Sequence, residues 1–599
     1  MGQWLESAFQ SQTERTRVLN NKLHQKVPII VGVTGHRNIQ SHDLDALKGS
    51  VRGILDGLKQ SSPDSPLILL TSLAEGADRL VAEVAVELQI DIVVPLPMPL
   101  AEYKRDFLST TSKREFSDLM SKSKGHFVVT QRPNAIGTTN YRSKEQRVAS
   151  YARAGEFIAK HCMVLIALWD GVMSNSSSGT SQAVKIRLEA PSSPGIQFPS
   201  SLHTLEVGPV AHIITPRISN PKPQGTPFSV QMLFPRYWGK TERAAAVYEN
   251  ILDHLQTFNA DLVGINKESP RSSAVLDSSS FANDAAGKPS EANRHYRDRY
   301  AVVDALANRY KTMRVRYLVV LYAAVILAFL YLQLYLEFWN YPTVLLMYPV
   351  ILGLAALLHA NAQRKRYHSK HEDYRALAEG LRVQIFWDHI DMNKSVSDHY
   401  LYKHTGELQW IRYALRAWGT TDRIREKTIG RPRRKPVSEG LKMAFDDWVL
   451  DQNEWYGRRS LETRTSLERL ERSANVLSIS GVGLSLLLYA VEVISPLSSY
   501  AGIGPWLHSG VMLAIAMALA ISAAVHSYAD KMSLSEESKQ YQRMHDLFGL
   551  AASRLSSIPQ RNRVKSARRF LFELGKEVLV ENADWLLLKR SRPLELPKA

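Results

Sequence analysis

The stretch "YLVVLYAAVILAFLYLQLYL", residues 317 to 336, contains one strongly polar side chain, Gln333. A helix of that length, rising about 1.5 Å per residue, matches a hydrocarbon layer about 30 Å thick. A second run, "ANVLSISGVGLSLLLYAVEVI" (474 to 494), has only Glu492 near its end. Each is followed by a shorter uncharged run, "VLLMYPVILGLAALL" (344 to 358) and "SGVMLAIAMALAISAAV" (509 to 525). The pairing predicts four transmembrane helices in two hairpins, with spans of about 317–336, 343–360, 474–494 and 507–526.

Charge at the flanks orients the hairpins. Lys311, Arg314 and Arg316 precede the first and Arg364, Lys365 and Arg366 follow it, whereas the connecting "EFWNYP" has no Lys or Arg. The loop "SPLSSYAGIGPW" has none either, and Arg472 and Lys531 flank the second hairpin. The positive-inside rule puts both loops outside, and the N-terminus, the connector between hairpins and the C-terminus in the cytoplasm. "HSKHEDYRALAEGL" (368 to 381) and "SEESKQYQRMHDLF" (535 to 548) follow the two hairpins and align Tyr374 with Tyr541, which suggests a duplicated unit. "HSKH" lacks the glutamate and spacing of a zinc motif and is expected as a solvated face.

Residues 27 to 217 follow a different pattern. Short apolar runs, "IIVGVT" (29 to 34), "LILLTS" (67 to 72), "DIVVPLP" (91 to 97), "HFVVT" (126 to 130), "CMVLIALW" (162 to 169) and "VAHIIT" (210 to 215), alternate with spacers long enough for helices. Runs without polar alternation suit strands buried on both faces, so this region is expected to be an α/β, doubly wound, Rossmann-like parallel-sheet domain. "TERAAAVYENILDHLQTF" has helical spacing, and the Ser, Ala and Gly-rich residues 270 to 292 suit a linker. The amphipathic "ELQWIRYALRAW" (407 to 418) is expected to pack between cytoplasmic helices, and the C-terminal 573 to 595 to dock as a helix on the bundle.

The net charge of +17 points to an anionic partner: a nucleotide, nucleic acid or lipid headgroup. The single cysteine, Cys162, excludes an intrachain disulfide and a Cys-based metal site, and suits a buried core thiol. The N-terminal "MGQWLESAFQ" has no apolar signal core, and Glu6 stands where a myristoylation motif wants Ser or Thr.

Three turns at one expected sheet edge carry the chemistry. "GVTGHR" offers Thr34, Gly35, His36 and Arg37, and "AEGADR" offers Glu75, Gly76, Asp78 and Arg79. "WDG…GT" offers Trp169, Asp170 and Gly171, then Gly179 and Thr180. Strand-to-helix turns with glycine present backbone N–H groups to phosphate, an arginine fork grips it, a carboxylate suits ribose hydroxyls and an aromatic suits a base. Read locally, Asp78 could simply favour the helix start, with Arg79 solvated.

In this order, "GVTGHR", "SLAEGADRLVAEVA", "PLPMPLAEYKRDF" and "LIALWDG" with "GT" resemble the SLOG superfamily, Rossmann-like domains related to DNA-processing protein A and the LOG enzymes. The hairpins, with "DYRALAEGLRVQIFW", resemble the two-helix SLATT membrane units. The resemblance implies a domain that binds a nucleotide-derived messenger, coupled to a membrane effector of bacterial antiviral defence in the inner membrane. One departure matters. Hydrolytic LOG enzymes place a glutamate soon after a Pro-Gly-Gly-x-Gly-Thr turn, whereas Gln182 and Ala183 follow Gly179 and Thr180. Binding is therefore expected over catalysis.

These readings divide the chain into an N-terminal helix (1–26), the nucleotide domain (27–217), a helix and linker (218–292), a first membrane unit (293–400), a connector (401–460) and a second membrane unit (461–599). The leading expectation is a ligand-gated effector that permeabilises the bilayer as a homo-oligomer, holding an unknown nucleotide-type ligand and no metal. One alternative is a membrane-tethered nucleotide hydrolase using Glu75 or Asp170. Another is a scaffold sensing lipid through "RIREKTIGRPRRKP" (423 to 436). No specific nucleic acid is expected, because that loop lacks interleaved aromatics.

Overall fold

The computed structural model describes residues 25–129, 141, 143–173, 179–189, 207–268, 294–339, 341–392, 394–401, 408–429, 436–494, 504–559 and 563–590. Expectations for the N-terminal helix and the 270–292 linker, and residues 430–435 of the basic 423–436 stretch, lie outside them. The chain divides into two compact units, one of Met1–Ser278, Ala285–Val302 and Lys394–Arg434, the other of Ser279–Asp284, Val303–Asn393 and Lys435–Ala599. Both are known from their described residues.

The first unit holds a seven-stranded sheet in the order β4-β3-β2-β1-β5-β6-β7. Its strands are β1 (Ile29–Gly35), β2 (Leu67–Leu70), β3 (Asp91–Leu96), β4 (Gly125–Val128), β5 (Val164–Trp169), β6 (Val210–Ile214) and β7 (Val230–Leu233). Six are the apolar runs of the sequence, and they pair in parallel. The seventh was not anticipated: "VQML" returns antiparallel to β6, with three of its four residues exposed, as an edge strand permits. Every residue of β5 and β6 is buried, which is why those stretches read as unbroken apolar runs. Cys162 is buried beside β5 as expected. The intervening helices are α1 (Leu44–Ser61), α2 (Ala77–Glu87), α3 (Thr110–Lys122), α4 (Lys144–His161), α5 (Thr180–Glu189) and, after the sheet, α6 (Thr241–Glu268).

The second unit is helical. It contains α7 (Arg294–Glu337, its first residues lying in the first unit), α8 (Pro342–Arg364) and α9 (Tyr367–His389). The chain then returns to the first unit for α10 (Gln409–Ile429). It continues in the second with α11 (Val437–Ala444), α12 (Asp451–Ile494), α13 (Pro505–Lys531), α14 (Leu534–Ser556) and α15 (Arg563–Arg590). Among the described residues, four helical stretches are long and apolar enough to cross a membrane, at the places the sequence indicates. Their apolar side chains are largely turned outward, among them Val319, Leu327, Leu354, Leu357, Ile479, Leu486 and Leu507. Such faces suit hydrocarbon and not water. Within the group, the Tyr322 hydroxyl meets Ser527 Oγ at 2.7 Å and Ser522 Oγ donates to the Ala474 carbonyl at 2.7 Å. These bonds satisfy polar groups that lipid could not.

The two hairpin regions are alike in backbone. α7 and α12 each run for 44 residues, and α9 and α14 each for 23. The break between second and third helix is a left-handed residue in both copies, Arg366 (φ 50°, ψ 38°) and Ser533 (φ 53°, ψ 39°). Each stands at the same spacing before the aligned Tyr374 and Tyr541.

Two expectations fail in this part of the chain. "HSKH" is no solvated face: His371 is buried and its Nδ1 faces the Ala307 carbonyl at 3.0 Å, beside the buried pair of Arg314 and Glu372 at 3.1 Å. A charge on each of two crossing helices drew the segment inward, which helix-local reasoning does not reveal. The basic stretch expected as a loop over 423–436 begins instead as helix, since α10 runs to Ile429. The segment 407 to 418 packs against helices as expected, and they belong to the first unit: Trp410 stacks on His254 (6.1 Å between ring centres) and nears Phe258 (5.9 Å) of α6. The C-terminal helix is docked as expected, with Phe572 4.8 Å from Trp387 and Arg590 paired with Asp373.

Candidate functional site

The sheet order reverses between β1 and β5: the chain leaves β1 toward β2, β3 and β4, then returns to β5 on its other side. A crevice opens at the carboxyl ends of such strands, where ligands of open α/β sheets collect. His36 and Asp170 meet across it, Nε2 to Oδ1, at 3.2 Å.

Asp170 is fully enclosed. Oδ2 lies 2.8 Å from Arg217 Nε and accepts from Asn220 Nδ2 at 3.1 Å, and Oδ1 accepts from the Val172 N–H at 3.2 Å. Burial opposes its ionisation, but the Asn220 amide, the Val172 N–H and His36 outweigh it and hold the carboxyl below its usual range. Burial also pushes the His36 imidazole down, so the ring is neutral at pH 7. With both oxygens engaged and no side-chain exposure, Asp170 organises the crevice and presents no lone pair to a ligand. Trp169 likewise offers no face for a base: it is 3 % exposed and tilts against His212 at 5.4 Å. Gly171 follows with φ 83°.

The first two turns are welded together. The Ala77 N–H donates to the His36 carbonyl at 3.1 Å. A Cβ at Gly76 (φ 82°) would stand 2.4 Å from the Arg37 carbonyl oxygen, and one at Gly35 would stand 2.3 Å from Ala77 Cβ. Only glycine at both positions lets the backbones approach this closely. Asp78, buried behind them, accepts from the Ala74 N–H at 3.3 Å. Burial raises its carboxyl to about 6, against the pull of that N–H, the Thr71 hydroxyl and Arg37.

Glu75 and Arg79 bind the turn to α3. Ser112 Oγ donates to Glu75, and Arg79 Nη1 donates to Ser112 Oγ at 2.8 Å and Glu115 at 3.0 Å. Arg79 is 4 % exposed and lies 4.6 Å over the Phe107 ring, so it is not a solvated charge.

Arg37 remains exposed. Its guanidinium sits 5.1 Å over the Tyr151 ring, a stacking that leaves the edge of the fork to an incoming anion. This wall of the site went unseen in the sequence. Tyr151 donates to Asp106, which also pairs with Arg147, and the Tyr103 hydroxyl is buried there without a hydrogen-bond partner. Tyr103 and Asp106 belong to "PLPMPLAEYKRDF", so the ordered motif held them; Tyr151, Arg147, Arg217 and Asn220 had no local signal.

Thr34, one residue before the end of β1, is half-buried and paired with Ala167. Gly179 (φ 105°) and Thr180 open α5, and Ser181 Oγ, 3.5 Å from Met173 Sδ, keeps that helix start beside the loop leaving β5. The intervening 174–178 lie outside the described residues. Thus His36, Arg37, Gly76, Asp78 and Asp170 come together, while Trp169, Glu75 and Arg79 serve the scaffold. Among the described residues no group of three or more His, Cys, Asp or Glu could hold a metal ion.

In chemical terms the site has an exposed cation, Arg37, stacked on an aromatic ring, and a buried unpaired hydroxyl. Its carboxylates are all engaged. This suits binding of an anion more than general acid–base work. No protein-family model and no curated protein matches this chain.

Proposed function

We propose that the chain is a ligand-gated membrane effector: an anionic, nucleotide-type messenger binds at the β1–β5 crevice, and the two hairpins respond by permeabilising the bilayer. The resemblance to SLOG and SLATT proteins, an inner-membrane location with cytoplasmic termini and a role in antiviral defence are parts of this reading.

The observation that carries it is the double duty of β1. Its carboxyl end delivers His36 and Arg37 to the crevice. Its amino end is bonded to α10, the helix through which the chain passes from one hairpin to the other. The Ile30 N–H donates to the Tyr413 hydroxyl at 2.8 Å, that hydroxyl donates to the Pro28 carbonyl at 3.2 Å, and Trp418 Nε1 donates to the Lys26 carbonyl at 3.0 Å. A shift of β1 on ligand capture is therefore felt by the segment tethering both hairpins. Only a ligand that prefers one state moves a gate, and a near-complete switch needs roughly 5 kcal/mol of preference. Several sites in a homo-oligomer share that load. Four spans with few polar residues also form a pore more readily as several copies.

The test is dye release from liposomes holding the full chain, with nucleoside diphosphates and cyclic dinucleotides as probes, alongside binding measured in detergent. Arg37→Ala should abolish both binding and release. Tyr413→Phe should leave binding within about threefold and reduce release. Release that proceeds unchanged in Arg37→Ala refutes gating through this crevice, and base or ribose phosphate appearing in the mixture would instead support hydrolysis.

A further inference from the structure

A cavity of about 50 Å³ lies in the second unit, where α9, α12, α14 and α15 meet. It is separate from the sheet and from the apolar spans. Four aromatic side chains line it, Trp455, Tyr456, Tyr541 and Trp585: Trp455 and Tyr541 cross at 5.7 Å and 80°, and Tyr456 lies 6.0 Å from Tyr541. Arg375, Glu379, Gln540 and Asn582 add polar side chains to the lining, and Met544 and Val578 apolar ones.

Polar satisfaction decides what it accepts. The Trp585 indole N–H is buried and has no hydrogen-bond partner, a donor that costs free energy until an acceptor arrives. Arg375 adds a second donor group, already anchored to Asp304 at 3.0 Å. The one lining carboxylate, Glu379, is held by Arg382 at 2.9 Å. An aromatic box ordinarily suits a cation, but these faces carry the protein's own: Arg375 and Arg459 lie 5.8 and 5.7 Å over Trp455, and Lys589 Nζ lies 4.0 Å over Trp585. The volume holds a few non-hydrogen atoms, since one water needs about 10–15 Å³.

We propose that this cavity is a second ligand site, taking a compact monoanion, a short carboxylate or a halide, on the Trp585 N–H and the Arg375 guanidinium. The site joins α9, which follows the first hairpin, to α12 and α14 of the second and to the C-terminal helix. Occupancy therefore favours the state in which these helices converge. The inference does not depend on the messenger site, and its test contains no nucleotide.

The full chain in detergent is melted at constant ionic strength against rising acetate and, separately, bromide. A saturable rise in Tm of a few degrees is expected with at least one anion, and its identity separates carboxylate from halide. The rise should vanish in Trp585→Phe and Arg375→Gln and persist in the exposed control Arg554→Gln. An unsaturating rise, equal in all variants, or no rise, overturns the proposal. If either variant fails to fold, crystals of the unaltered protein soaked in bromide or bromoacetate decide: bromine anomalous density between Trp455, Tyr541 and Trp585 supports the site, and its absence there refutes it.

Discussion

Asp78 shows how burial of one carboxyl couples the fold to pH. Its folded-state pKa of about 6 stands above the ordinary carboxyl value, so its favourable contribution is complete below the unfolded value of about 3.9 and is lost as pH rises through 6. At two units, the loss is up to about 3 kcal/mol. Asp78→Asn should therefore gain stability relative to the unaltered protein between pH 5 and pH 8, read as the difference in melting temperature; a pH-independent difference would remove burial as the cause. An anion arriving at Arg37 also raises the cost of the Asp78 charge, so messenger affinity should weaken as pH rises through 6. At Gly76, φ of 82° and a Cβ position 2.4 Å from the Arg37 carbonyl oxygen make any side chain costly. Gly76→Ala should lower stability by about 1–3 kcal/mol in denaturant melts and loosen ligand binding with it. The glycines were legible in "GVTGHR" and "AEGADR" as turn formers. That each presses on the other's turn was not, because they lie far apart in the chain and meet only once β1 and β2 pair.

At the scale of elements, sequence periodicity located six strands and the four spans, since burial on both faces or in lipid leaves unbroken apolar runs. It missed β7, whose exposed residues carry no such run, and it did not name the helix that α10 packs against. The amphipathic face of α10 was plain; its partner was not, because an apolar stripe records that a helix docks and not where. The Tyr413 hydroxyl supplies that address by accepting from the Ile30 N–H. Tyr413→Phe leaves this buried N–H unpaired, and a loss of about 1–3 kcal/mol is expected in the melting of the first unit; no loss would mean the bond is replaced by solvent. The paired left-handed breaks at Arg366 and Ser533 offer a second check. Left-handed backbone costs about 1–2 kcal/mol for a residue with a Cβ, part of which glycine returns as chain entropy. Ser533→Gly should leave stability equal or higher by up to about 1 kcal/mol, whereas the same change one turn into α14 should lower it by about that amount.

For the molecule as a whole, the membrane reading is the most accessible to experiment. The protein should stay with membranes through a carbonate wash. Because the lone Cys162 is 2 % exposed, single cysteines report topology cleanly. Tyr341→Cys, in the first hairpin loop, should react with an impermeant maleimide on intact cells, and Arg554→Cys only after lysis. The reverse pattern would invert the orientation that flanking Lys and Arg imply.

By itself the sequence determined the two chemical classes of this chain, a buried parallel sheet and lipid-soluble helices, because each is written in local hydrophobic patterning along consecutive residues. It also determined that three glycine-bearing turns stand ready at strand ends. Tertiary structure alone decided which side chains remain for a ligand: Asp170 is spent on His36, Arg217 and Asn220, Trp169 is sunk in the core, and Arg37 stays exposed, stacked on Tyr151. The reason is that a polar group's availability depends on its partners, and these partners come from strands and helices that are distant in sequence and meet only in the fold.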